Sequence, residues 1–242
     1  MSGRYVVIGM VLVGVLVGSV IMVKKIRPTA NITRVEANDF KVKGPANAPV
    51  QIVEYADFQC PACQRAQASL QELVNKYPDK IQVVFRHFPL PGHQWSGFAH
   101  QAAECAGRAG RFWDYYDKLF VEQQIWSKSP SPVDMLIYYA REFGLNLDSF
   151  GACLADKKVQ QSILSEKAKG EAMKITATPT LFVNGERMVG PAEFTARGEA
   201  AVRKTLGLPP LPTPSPTPTP EPAVTSNNVE ANPSPAEAPA SS

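Results

Sequence analysis

Two cysteines separated by two residues, in the run Cys60-Pro61-Ala62-Cys63, are the side chains in this chain best placed to do chemistry. The run falls where a β-prone stretch, Val50–Tyr55, gives way to a helix-like one. A thiol at that junction meets free backbone N–H groups and the positive end of a helix dipole, both of which favour thiolate over thiol. Cys60 is therefore the expected nucleophile. Residues i and i+3 share a helix face, so Cys63 can reach Cys60 and resolve a mixed disulfide. The chemistry this predicts is thiol-disulfide exchange. Pro61 suits a first helical turn, because its φ is already helical and its missing N–H would have had no intrahelical partner.

A zinc half-site and a structural disulfide are the competing readings of the motif. Zinc needs about four ligands. The sequence offers no second C-x-x-C or H-x-x-H pair, and the other cysteines, Cys105 and Cys153, stand apart in separate helical runs. No metal or bound cofactor is expected.

The elements that must position the pair follow from periodicity. Cys63, Ala66, Leu70, Leu73, Val74 and Tyr77 recur at helical spacing, and Pro78 ends the run. Ile81–Phe88 predicts a second strand after the Pro78-Asp79 break. A long helical region follows, from about Trp95 to Lys174, carrying the stripes Phe112, Trp113, Tyr116, Leu119, Phe120 and Val133, Leu136, Ile137, Ala140, Phe143. Thr180–Val183, a turn at Asn184-Gly185 and Arg187–Val189 predict a hairpin, and a helix from Ala192 to about Leu206 closes the pattern.

The chain has 242 residues, and its ends do not read as globular. Tyr5–Val23 is an apolar and small-residue run whose length as a helix nearly spans the ~30 Å hydrocarbon core. It is longer than the usual signal-peptide core and lacks a convincing A-x-A site, so an uncleaved transmembrane anchor over residues 1–23 is expected rather than a cleaved signal. Residues 24–38 read as a tether. From Leu208 to Ser242 alternating prolines restrict the backbone to polyproline II, which predicts an extended, disordered tail. The net charge of +3 is small and no basic aromatic stripe is present, which argues against a nucleic-acid partner.

Orientation pulls two ways. Lys24, Lys25 and Arg27 follow the candidate span while Arg4 precedes it, and positive-inside alone would put the remaining chain in the cytoplasm. Oxidising thiol chemistry belongs outside the cytosol, and the expectation follows the chemistry.

Taken in order, Glu54, Cys60-Pro61-Ala62-Cys63, Phe88-Pro89-Leu90 with His93, Gly110-Arg111-Phe112-Trp113, Cys153, and Thr178-Pro179-Thr180 with Val183-Asn184-Gly185 resemble DsbA-like thiol-disulfide oxidoreductases. The likeness runs from about Asp39 to Leu206. It implies an α/β thioredoxin-like fold over residues 39–207, interrupted by a helical subdomain at about 92–174. It also implies that Pro179 is a cis-proline beside the thiol pair, where sequence alone would favour trans. Thr178 would then offer extended backbone to a substrate peptide. Read without the resemblance, Pro179 is an ordinary loop proline before a strand.

The same resemblance implies a buried acid at Glu54 able to relay a proton to Cys63. The alternative is an outward-facing strand residue, since Val53 and Tyr55 occupy the other parity. Some relatives carry a second disulfide, which implies a structural Cys105–Cys153 bond; two buried free thiols are the other reading. His87, His93 and His100 are not assigned to catalysis and read as solvated or capping residues. One departure is the Pro-Ala dipeptide between the cysteines, where strongly oxidising members have Pro-His.

The function this implies is a membrane-anchored extracytoplasmic oxidoreductase that introduces disulfides into exported proteins and is reoxidised by a membrane redox partner. A reductase or isomerase using the same pair is the alternative. A peptide-binding or chaperone module without turnover is a third reading, against which the intact C-x-x-C argues.

Overall fold

The protein's structure, a computed structural model, describes residues 39–211. The expected span, the tether and the tail beyond residue 211 lie outside the described residues. Among the described residues no helix is long and apolar enough to cross a membrane.

A short strand that the sequence pattern does not announce, β1 (Val42–Lys43), precedes β2 (Val50–Ala56). Helix α1 (Pro61–Lys76) then leads to β3 (Ile81–His87). The helical crossover lets β2 and β3 pair in parallel, Val50 opposite Ile81 and Ala56 opposite His87. The sheet order is β1-β3-β2, continued by β4 (Thr180–Val183) and β5 (Glu186–Val189). β4 runs antiparallel to β2 with Leu181 opposite Glu54 and Thr180 opposite Tyr55. The strand that feeds the cysteine pair is thus the middle of five.

Helices cover both faces of that strand, so its residues are buried on both parities. On one face Val50 and Ile52 pack with Ala66, Leu70 and Leu73 of α1 and with Phe194 and Val202 of α8 (Gly190–Thr205). Burying each such leucine contributes about 1.5–3 kcal/mol. On the other face Val53 and Tyr55 pack with Val84, Phe88, Ile175 and Phe182. There the backbone of Gly170 comes so near that a Cβ would lie 2.9 Å from the Phe88 ring and 3.0 Å from that of Tyr55. Only glycine permits that approach.

Between β3 and β4 the helical region the sequence predicts forms six helices. They are α2 (Ser96–Arg108), α3 (Phe112–Val121), α4 (Gln123–Trp126), α5 (Pro132–Glu142), α6 (Leu147–Ala155) and α7 (Lys157–Ala172). Local chemistry sets several ends. Pro132 occupies the first turn of α5, Asn146 caps α6 by accepting from the Ser149 N–H, and Asp156 caps α7 by accepting from the Lys158 N–H. Phe112, Tyr116, Leu119, Phe120, Leu136 and Tyr139 merge with Phe58 and Phe85 into one apolar cluster, which also encloses Cys60 and Cys63. The β4–β5 turn at Asn184-Gly185 has positive φ at both residues, 44° and 86°, as a two-residue hairpin requires.

Candidate active site

Cys60 is the N-cap of α1, with extended backbone, and Pro61 follows in the first turn. The Cys60 carbonyl accepts from the Cys63 and Gln64 N–H groups at 3.0 and 3.2 Å, which starts the helix. The same carbonyl, together with that of Phe58, accepts from the buried Gln123 side chain at 3.0 and 2.8 Å. The active-site turn is thereby tied to α4 of the helical block. Cys60 retains 7 % of its surface and Cys63 none, so an incoming sulfur meets Cys60 first.

The electrostatics separate the two thiols. A hydrogen bond from Cys63, with further ones from the Ala62 and Cys63 N–H groups, overcomes burial and lowers Cys60 to about 5. Burial, reinforced by the hydrogen bond to Cys60 and its charge, pushes Cys63 well above its ordinary value. One sulfur is held as thiolate and the other as thiol.

The Thr178–Pro179 peptide bond is cis. The loop carrying it faces the thiol pair, with the Thr178 carbonyl 3.7 Å from Cys60 Sγ. Glu54 is fully buried on β2; its Oε2 accepts from the Tyr116 hydroxyl at 2.8 Å and its Oε1 has no protein partner. Burial raises Glu54 to about 7, against the opposing effect of the Tyr116 hydrogen bond. The outward-facing alternative for Glu54 is therefore set aside, although no direct hydrogen bond joins it to Cys63. Cys105 on α2 and Cys153 on α6 form a disulfide with Cα atoms 5.8 Å apart.

A family model described as thioredoxin matches residues 38–200. The chain belongs to the thioredoxin family. Solved structures similar to it include alpha-DsbA1 of Wolbachia pipientis, with a TM-score of 0.61 at 23 % identity over 72 % of this chain and 96 % of that one. DsbA2 of Pseudomonas aeruginosa is similar with a TM-score of 0.55 at 25 % identity, over 70 % and 95 % of the two chains. The Cys60–Cys63 pair stands at a helix N-terminus of this thioredoxin-family chain, whose fold is similar to that of these DsbA proteins. Its sequence is also 38 % identical over 162 residues to a Na(+)/H(+) antiporter NhaA 3 of Salinispora tropica, a match covering 66 % of this chain and 24 % of that protein. The chain spans about a quarter of the length of the curated relatives it matches. The antiporter name describes those much longer proteins.

Several residues around the site of this thioredoxin-family domain gave no local signal in the sequence. Asp57 is fully buried, and its N–H lies 3.4 Å from Cys63 Sγ. His93 is held against it, Nδ1 to Oδ2 at 2.9 Å. His87 and His100 correct the solvated reading given to them above. Both are fully buried, their Nδ1 atoms 2.6 Å apart, and His87 Nε2 lies 3.2 Å from Glu104 Oε2. Pairing is what makes their burial affordable. The C-x-x-C spacing announced the two sulfurs. Asp57 stands only three residues before Cys60, but its partner His93 and the amide of Gln123 come from distant positions and meet the site only once the chain is folded.

Proposed function

We propose that this protein is a membrane-anchored, extracytoplasmic oxidant that introduces disulfide bonds into exported proteins through Cys60 and Cys63. The observation that carries the proposal is the separation of the two thiols, with Cys60 lowered to about 5 and Cys63 raised. Whatever stabilises the thiolate stabilises the reduced protein, and so makes its disulfide a stronger oxidant by an amount on the order of tens of millivolts.

In the oxidised protein a substrate thiolate attacks Cys60 Sγ, and the Cys63 sulfur leaves and takes up a proton. A second substrate thiolate then attacks the substrate sulfur of the mixed disulfide, and Cys60 leaves as the stabilised thiolate. Two electrons pass from the substrate thiols to the protein, and a membrane redox partner removes them. Thr178 and Pro179 line the approach to Cys60, where the backbone at Thr178 aligns the substrate peptide. The Cys105–Cys153 disulfide supports an oxidising compartment, because such bonds persist there and are rare in cytosolic proteins. Anchoring rests on the apolar run at residues 5–23.

Equilibrating the full chain with glutathione buffers tests the direction of exchange. A reduction potential of about −120 to −180 mV supports disulfide donation, and one near about −270 mV overturns it in favour of a reductase. Protease added to sealed spheroplasts tests the location, since cleavage of the domain supports it and protection refutes it.

A further inference from the structure

We infer that Asp57 is a positioning residue for thiol exchange, its main chain and buried carboxylate together holding Cys63 in the orientation that keeps Cys60 reactive. Asp57 has no exposed surface and lies between the end of β2 and Cys60. Its main chain touches both cysteines. The carbonyl accepts from the Cys60 N–H at 3.1 Å, and the N–H points at Cys63 Sγ from 3.4 Å. Its carboxylate holds that main chain in place from two sides. Oδ1 accepts from the Gln59 N–H at 2.7 Å, closing a tight local turn. Oδ2 accepts from the Leu90 N–H at 2.7 Å and meets His93 Nδ1 at 2.9 Å, both in the loop that follows β3. That loop is stitched a second time where the Gln59 side chain accepts from the Trp95 N–H at 2.8 Å.

The consequence reaches Cys60 through Cys63. A thiol has one S–H to give and weak acceptor capacity on sulfur. With the Asp57 N–H directed at the Cys63 sulfur, the S–H remains for Cys60, and that hydrogen bond is the largest influence lowering the Cys60 thiol. A carboxylate suits the position because all three side-chain contacts can come from donors. The amide of asparagine would have to turn its own N–H groups toward one of them. The inference needs only the thiol pair and holds whichever way exchange runs.

The test is a double-mutant cycle in the full chain, reading the pH midpoint of the Cys60 thiolate by its ultraviolet absorbance and by alkylation rate. Asp57→Asn and Asp57→Ala should each raise the midpoint by about one unit, a tenfold change in the thiolate equilibrium. His93→Gln, which removes one of the contacts, should raise it less. In a Cys63→Ala background the Asp57 substitution should add nothing, because its route to Cys60 is gone. An unchanged midpoint alongside a lower melting temperature makes Asp57 a merely structural acid and overturns the inference. An equal shift with and without Cys63 also overturns it. Should Asp57→Ala fail to fold, Asp57→Asn, which keeps one acceptor oxygen, and His93→Gln carry the test. The wild-type reduction potential, which tests the direction of exchange, takes no part in this comparison, so either conclusion can fail alone.

Discussion

The Tyr116 hydroxyl donates to Glu54 Oε2 at 2.8 Å, joining α3 of the helical block to the central strand of the sheet inside a site where both residues are buried. Glu54 is raised to about 7 by that burial, whereas in the unfolded chain it titrates near the ordinary glutamate value of 4.5. Between those two pH values the folded protein binds more protons than the unfolded one, so its stability falls as pH rises through the window. Glu54→Gln should abolish this slope, which amounts to about 3 kcal/mol at most. Thermal melts from pH 4 to pH 8 check it: the variant should gain on the wild type as pH rises. Parallel curves would show that Glu54 does not titrate in that window. The same substitution should slow the reactions of Cys63, and an unchanged pH-rate profile would rule out a proton relay through Glu54.

Glu54 also marks what could be read from the sequence. Its parity was ambiguous because β2 is covered on both faces, so alternation along the strand carries no inside-outside signal. The Asn184-Gly185 turn, by contrast, was legible because two positive-φ residues are a local requirement. The same holds for the Pro61 helix start. Asp57 and His93 lie 36 positions apart and His87 and Glu104 lie 17 apart, and no period links such pairs. The breaks within the helical block were legible where Pro132 or Gly144 stands. They were invisible between α3 and α4, which Glu122 joins without either residue. The first strand, two residues long, is too short to show any alternation.

The separation of the two thiols has a signature in the reduction potential. Between about pH 5 and the raised Cys63 value, the reduced protein carries one proton on the pair; below about pH 5 it carries two. For a two-electron couple the potential should fall with rising pH by about 59 mV per unit in the acid limb and about 30 mV per unit above it. The break belongs near pH 5. A slope of about 59 mV per unit continuing to pH 8 would refute the lowered Cys60. Cys63→Ala removes the hydrogen-bond donor and should move the Cys60 midpoint upward, toward an ordinary thiol, while the variant, unable to form the Cys60–Cys63 disulfide, donates none to substrate thiols.

The Cys105–Cys153 disulfide closes a loop with a sequence separation of 48 and fastens α6 to α2. In the chain-entropy account a loop of that size constrains the unfolded state by about 4 kcal/mol. Replacing both cysteines by alanine should lower the unfolding free energy read from denaturant titration by up to that amount, with little change in the Cys60 thiolate midpoint, since neither sulfur touches the active-site turn. Alkylation of the denatured wild-type protein without reductant should leave Cys105 and Cys153 unmodified. Ready labelling of those two would remove the disulfide from the argument.

Lys41 connects the edge of the sheet to two helices at once, its Nζ lying 3.1 Å from Glu104 Oε2 on α2 and 3.0 Å from Glu166 Oε1 on α7. The Glu166 Oε2 atom accepts from the His87 N–H at 2.8 Å, and Glu104 meets His87 Nε2, so the cation anchors both acids around one histidine. Burial pushes Glu104 up, but the His87 hydrogen bond and the Lys41 charge outweigh it and hold the carboxyl at about 2. A depressed folded value contributes stability that is present above the ordinary carboxylate range and lost as pH falls from about 4.5 toward 2. Lys41→Met takes the buried cation from two acids that keep only the longer arginine contacts, Arg86 to Glu166 at 3.7 Å and Arg108 to Glu104 at 3.8 Å, and breaking a buried pair costs about 3–5 kcal/mol. The acid-unfolding midpoint should therefore move to higher pH, and the loss should exceed that of the exposed pair Arg111–Asp114 when Arg111→Ala breaks it. Circular dichroism followed from pH 7 to pH 2 checks both variants. An acid limb that coincides with the wild type would mean that Lys41 contributes packing alone, with His87 and Arg108 the remaining partners of Glu104.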